Sequence, residues 1–79
     1  MTKGEKEIID FILTQTGVDL NKYRDSATRR FDTKTRFNVD WGMMSEPDKR
    51  KVRNLYHKYP HKFTMELCGV WLMTFTKGE

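Results

Sequence analysis

The spacing of apolar residues divides the chain into five stretches. Ile8, Ile9, Phe11, Ile12 and Leu13 recur at helical spacing over a broad stripe, which predicts a helix over 5–16 with one buried face. Thr2 and Glu5 have the spacing of a capping box. Gly17 supplies the left-handed position at which helices commonly stop, and Val18 is placed for the apolar contact that accompanies such a stop. With Asp19 as N-cap, Leu20, Tyr23, Ala27 and Phe31 fall at i, i+3, i+7 and i+11 and predict a second helix.

The period then changes from helical to two. Phe31, Thr33, Thr35, Phe37, Val39 and Trp41 share one parity, and Asp32, Lys34, Arg36, Asn38 and Asp40 occupy the other. Successive side chains of a strand point to opposite faces, so this alternation predicts a half-buried strand, best patterned over 35–41. Gly42 breaks it. Ser45 and Asp48 resemble a capping box with Pro47 in the tolerated first turn, and Val52, Leu55, Tyr56 and Tyr59 follow at i, i+3, i+4 and i+7 before Pro60. These predict a third helix over about 46–59.

In the tail, Phe63, Met65 and Leu67 alternate with Lys62, Thr64 and Glu66, and Val70 to Thr76 is rich in β-formers. A loop at Cys68-Gly69-Val70 would set Leu67 opposite Trp71, Met65 opposite Met73 and Phe63 opposite Phe75, with six large apolar groups on one face. Gly69 and the poor helix formers Thr74, Phe75 and Thr76 argue against a terminal helix. The order is α-α-β-α-β-β, an α+β class with helices packed on a small three-stranded antiparallel sheet. Were two copies to pair, the last strand would be the unprotected edge.

Composition narrows the class. Seventy-nine residues hold one small domain, 1–79. An aromatic content of 13% is more than disordered segments carry, so the chain folds. The one cysteine, Cys68, makes no internal disulfide and no zinc knuckle, which fits a reducing compartment. No run of about 18 apolar residues is present to span a bilayer, and the N-terminal stretch lacks the features of a signal peptide. A cytoplasmic location is expected, with no cofactor.

Charge changes the picture most. The formal net charge is +4, yet residues 1–21 carry −2, residues 22–62 carry +7 from twelve Lys/Arg against five acids, and residues 63–79 carry −1. On the third helix, at about 100° per residue, the face opposite the apolar stripe centres on Arg50, Asn54 and His57, flanked by Lys51, Arg53 and Lys58. Glu46 and Asp48 sit in the first turn, where they complement the helix dipole. Arg and Lys neutralise phosphates, Arg can bridge a guanine edge and Asn can pair with adenine. A second basic cluster, Arg29, Arg30, Lys34 and Arg36, offers further phosphate contacts, and Lys62 leads into the hairpin. A basic face kept for solubility accounts for the same residues, and Asp32 and Asp40 could pair with the second cluster.

A helix carrying a readout surface followed by a β-hairpin resembles, in architecture, the winged-helix DNA-binding domains. Their first strand ordinarily precedes the second helix, whereas the order read here differs. The expectation is a non-enzymatic binder of DNA or RNA. The alternative is a small protein-binding regulator that docks on an acidic partner through its basic patch and the adaptable side chains of Met43 and Met44.

Other chemistry is weaker. A metal-free ribonuclease would use His57 or His61 as acid or base, with Arg50, Arg53 or Lys58 stabilising phosphorane charge, but no motif fixes those roles. His57 and His61 have the i, i+4 spacing of a metal pair, yet Pro60 disfavours helix between them and no third ligand is near in sequence. Cys68 fits a small packed hydrophobe better than a nucleophile. Trp41, Trp71, Phe63 and Phe75 could stack on unpaired bases from an open strand face, but their parity with Val39, Met65 and Met73 reads as core.

Overall fold

The computed structural model describes residues 3–25 and 36–78. It contains α1 (Lys3–Thr16), β1 (Arg36–Asp40), α2 (Glu46–Lys58), β2 (Phe63–Cys68) and β3 (Leu72–Lys77), with 3-10 turns at Leu20–Tyr23 and Trp41–Met43. The two helices pack on an antiparallel sheet of order β1-β3-β2, the α+β arrangement that the periodicities imply.

The local signals act where they stand. Gly17 ends α1 at φ +80°, its N–H donating to the Leu13 carbonyl at 2.8 Å, and Val18 is buried beside it. Ser45 caps α2 by accepting from the Asp48 N–H, and Pro47 lies in the first turn. Phe37, Val39 and Trp41 are buried, as their shared parity requires. Thr2 lies outside the described residues, as do Ala27 and residues 31–35 of the expected strand.

The second helix is shorter than its periodicity suggests. Asp19 does cap it, accepting from the Asn21 N–H at 3.0 Å, but the winding stops at Tyr23 and Arg24 is extended at φ −64°, ψ 128°. Two distant contacts hold Arg24 and Asp25 out of helix. The Arg24 guanidinium donates twice to one oxygen of Glu5, at 2.7 and 2.9 Å. The Asp25 N–H donates to the Asn38 carbonyl at 2.9 Å, and Arg24 bridges Val39. Among the described residues, β1 therefore precedes the next α-helix.

The hairpin keeps the expected face but not the expected pairing. Cys68 faces Leu72, Leu67 faces Met73 and Met65 faces Phe75, so the loop is Gly69-Val70-Trp71. Gly69 opens it at φ +76°. The carbonyl of Trp71 accepts from the N–H groups of Trp41 (2.9 Å) and Gly42 (3.3 Å), which holds that residue in the loop and out of the ladder. Of the six apolar groups expected to share one buried face, Phe63 and Phe75 are fully buried, Met65 and Met73 are half-buried, and Leu67 and Trp71 are exposed. The last strand is central, not an edge: β3 pairs with both β1 and β2.

The core lies between the helices and the inward sheet face, with Ile8, Ile9 and Ile12 of α1 and Val52 and Leu55 of α2 covering Phe37, Val39, Phe63 and Phe75. Phe75 is at its centre, stacked on Phe37 (ring centroids 5.4 Å apart) and tilted against Phe63 (5.8 Å). Asn38 is buried despite its polar parity, and its carboxamide oxygen accepts from the Thr74 hydroxyl at 2.7 Å.

Candidate nucleic-acid interface

Burial of Val52 and Leu55 fixes the rotation of α2 about its axis. Tyr56 and Tyr59 fall half-buried at the flank, and Arg50, Lys51, Arg53, Asn54, His57 and Lys58 are all exposed. The six candidates on this helix thus share one solvent-facing surface, as the 3.6-residue period demands.

Among the described residues, no carboxylate forms an ion pair with Arg50, Lys51, Arg53 or Lys58. Of the two acids of the first turn, Glu46 is engaged locally, accepting from Lys49 at 3.2 Å. Aromatic rings lie beside two of these cations. The Arg53 guanidinium lies 5.9 Å from the centre of the Trp41 ring and the Lys58 ammonium 5.5 Å from that of Tyr59. Such contacts orient a cation without neutralising it, so its charge stays available to a phosphate.

The remaining candidates separate. Arg29, Arg30 and Lys34 lie outside the described residues. Arg36 opens β1 with the parity of Asn38 and Asp40, on the sheet face turned away from the helices, so it does not join the α2 surface. Lys62 follows the turn after α2, its ammonium 5.6 Å from the centre of the Phe11 ring. There a cleft of about 330 Å³ opens between α1 and the sheet, lined by Glu7, Phe11, His61, Lys62, Phe63 and Lys77. Lys77 is paired with Glu7 at 2.5 Å.

Met43 and Met44 also part company. Met43 is 72% exposed, whereas Met44 is 4% exposed and belongs to the core. His57 lies in the last turn of α2 and His61 in the turn beyond it, so the helical spacing of the pair is broken. No group of three or more potential ligands among the described residues could hold a metal ion. Cys68 is exposed rather than packed. Of the four aromatics weighed as stacking platforms, Trp41, Phe63 and Phe75 are core and Trp71 is half-exposed at the hairpin tip, beside Val70.

The chain matches no protein-family model, and no curated protein or solved structure matches it. No helix among the described residues is long and apolar enough to cross a membrane.

Proposed function

We propose that this chain is a non-enzymatic nucleic-acid-binding domain acting in the cytoplasm, with the solvent face of α2 as its contact surface. One observation carries the reading: four cations, an asparagine and a histidine are exposed together on one helix, and no acid among the described residues pairs with those cations. Phosphates are the ligands that an unneutralised row of Arg and Lys suits, and Asn54 beside them has the donor and acceptor needed for a base edge. The order helix, strand, helix, hairpin supports the reading by architectural analogy with winged-helix domains, with α2 in the place of the readout helix. Arg29, Arg30, Lys34, Arg36 and Lys62 would add phosphate contacts around it.

Fluorescence anisotropy against short single- and double-stranded DNA and RNA tests it. The wild type is expected to bind in a salt-sensitive way and Arg50→Glu/Arg53→Glu to lose that binding while remaining folded. Absence of binding by a folded wild type would sink the proposal. The exposure of Met43 favours the second reading, a regulator docking on an acidic protein. In that case Met43→Asp would weaken capture of the partner more than the charge reversals do.

A further inference from the structure

The two edges of the sheet are unlike. Within a strand the N–H and C=O of one residue point to the same side, and successive residues alternate. The Gly78 N–H donates to the Lys62 carbonyl at 2.9 Å, extending the ladder in which Thr64 faces Thr76 and Glu66 faces Thr74. Even-numbered residues of β2 therefore direct their backbone groups at β3, and Phe63, Met65 and Leu67 direct theirs outward. On the far side of the sheet, the Asn38 carbonyl is taken by Asp25 and Val39 is bridged by Arg24. Along β2 no backbone group among the described residues bonds to the outward row.

This open edge also lacks the usual protection. Within Phe63–Cys68 there is no proline and no lysine, and Glu66 is the one charge. Leu67, near its end, is 53% exposed. Unpaired edges of this kind are templates for another strand.

We propose that the β2 edge pairs with the same edge of a second copy of this chain, antiparallel about a two-fold axis through Thr64. Charge selects the register. With the axis at Thr64, Lys62 of each copy faces Glu66 of the other, giving two ion pairs at positions where side chains approach closely. An axis at Met65 sets Lys62 against Cys68 and Thr64 against Glu66, with no charge matched. An axis at Glu66 opposes two like charges. In the chosen register Phe63 and Met65 of the two copies exchange their outward backbone hydrogen bonds, and Leu67 comes to rest against His61 of the other copy, covering apolar surface. The exposed Lys62 side chain swings from the Phe11 ring to reach the edge. The paired sheet has six strands and uses no residue of α2; Lys62 is the one residue it shares with the proposed phosphate contacts, and association is measured without nucleic acid, so the two proposals fail separately.

Sedimentation equilibrium at low salt over a concentration series decides the matter. The mass is expected to rise from 9.5 kDa toward twice that value. Lys62→Glu and Glu66→Lys are each expected to weaken association about tenfold or more by opposing like charges twice. The double swap K62E/E66K restores it. Hydrogen exchange adds a backbone readout: the amides of Phe63 and Met65 gain protection with concentration, while those of Thr64 and Glu66, already bonded to β3, do not. A wild type that stays at 9.5 kDa throughout overturns the proposal. So does a dimer indifferent to both single reversals, or one that the double swap fails to restore with circular dichroism unchanged.

Discussion

Glu5 and Lys6 are neighbours in sequence with opposite energetic roles. Lys6 pairs with Asp10 at 2.8 Å in full solvent, where screening and side-chain entropy leave little net gain. Glu5 is buried, with its side chain 3% exposed against an Arg24 that is 18% exposed. Glu5→Ala strands that guanidinium and releases the contact that holds Arg24 out of helix. It is expected to cost about 3 kcal/mol in urea unfolding, whereas Lys6→Ala should leave the unfolding midpoint almost unmoved. The cost of Glu5→Ala approaches the whole stability of a core this small. Spacing with Thr2 identified Glu5 as a capping residue; a partner nineteen positions away leaves no local pattern to read. Glu7 behaves differently again. A hydrogen bond from Lys77 and the charge of that ammonium hold its carboxyl below the ordinary value of 4.5. The folded chain therefore keeps Glu7 ionised to lower pH than the unfolded chain does. The resulting stabilisation is present above pH 4.5 and is lost as pH falls through the lowered value. Lys77→Met should return the Glu7 titration, followed by NMR, to the ordinary range.

What was legible in α1, α2 and β1 is what neighbours in sequence determine: caps, helical stripes and strand parity. The stretch after Asp19 has a helical stripe too, but one 3-10 turn gives way to long-range bonds from Arg24 and Asp25, which propensity does not see. The hairpin shows the same division of control. Relative to the pairing that a Cys68-Gly69-Val70 loop would give, β3 is displaced two residues along β2. Parity survives a two-residue slide, so the apolar face was readable. The register was not, because it depends on Trp41 and Gly42 binding the Trp71 carbonyl. At the other end the pairing depends on Gly78. A side chain there would overlap the His61 carbonyl and come within 2.9 Å of the Lys62 carbonyl carbon, both backbone groups that cannot turn aside. Gly78→Ala is expected to break the Gly78–Lys62 hydrogen bond and lower stability by about 1–3 kcal/mol, as overpacking does. Loss of exchange protection confined to the Lys77 end of the sheet is the local sign. An alanine variant with wild-type stability and intact protection there would contradict this packing account.

The distribution of charge over the folded chain matters more than its sum. Glu5 is neutralised by Arg24, Glu7 by Lys77, Asp10 by Lys6 and Glu46 by Lys49, which leaves Arg50, Lys51, Arg53 and Lys58 on α2 without ionic partners among the described residues. The basic helix was legible because the helical period alone decides which residues turn from the core. That its cations go unpaired was not, since it depends on where acids from other elements fall. If these four cations each meet a phosphate, the slope of log K against log salt is about −3.6 on duplex DNA and about −2.8 on a single strand. Raising salt fourfold then weakens binding roughly a hundredfold. Net charge alone would also give salt dependence, so the decisive comparison holds it constant. Arg50→Glu/Arg53→Glu and Lys3→Glu/Lys22→Glu change the total charge equally, but only the first pair lies on α2. A contact surface at α2 requires the first double variant to flatten the slope by about two phosphates and the second to leave it near that of the wild type. Equal flattening in both would mean that the polymer responds to the overall field of the protein and not to this helix.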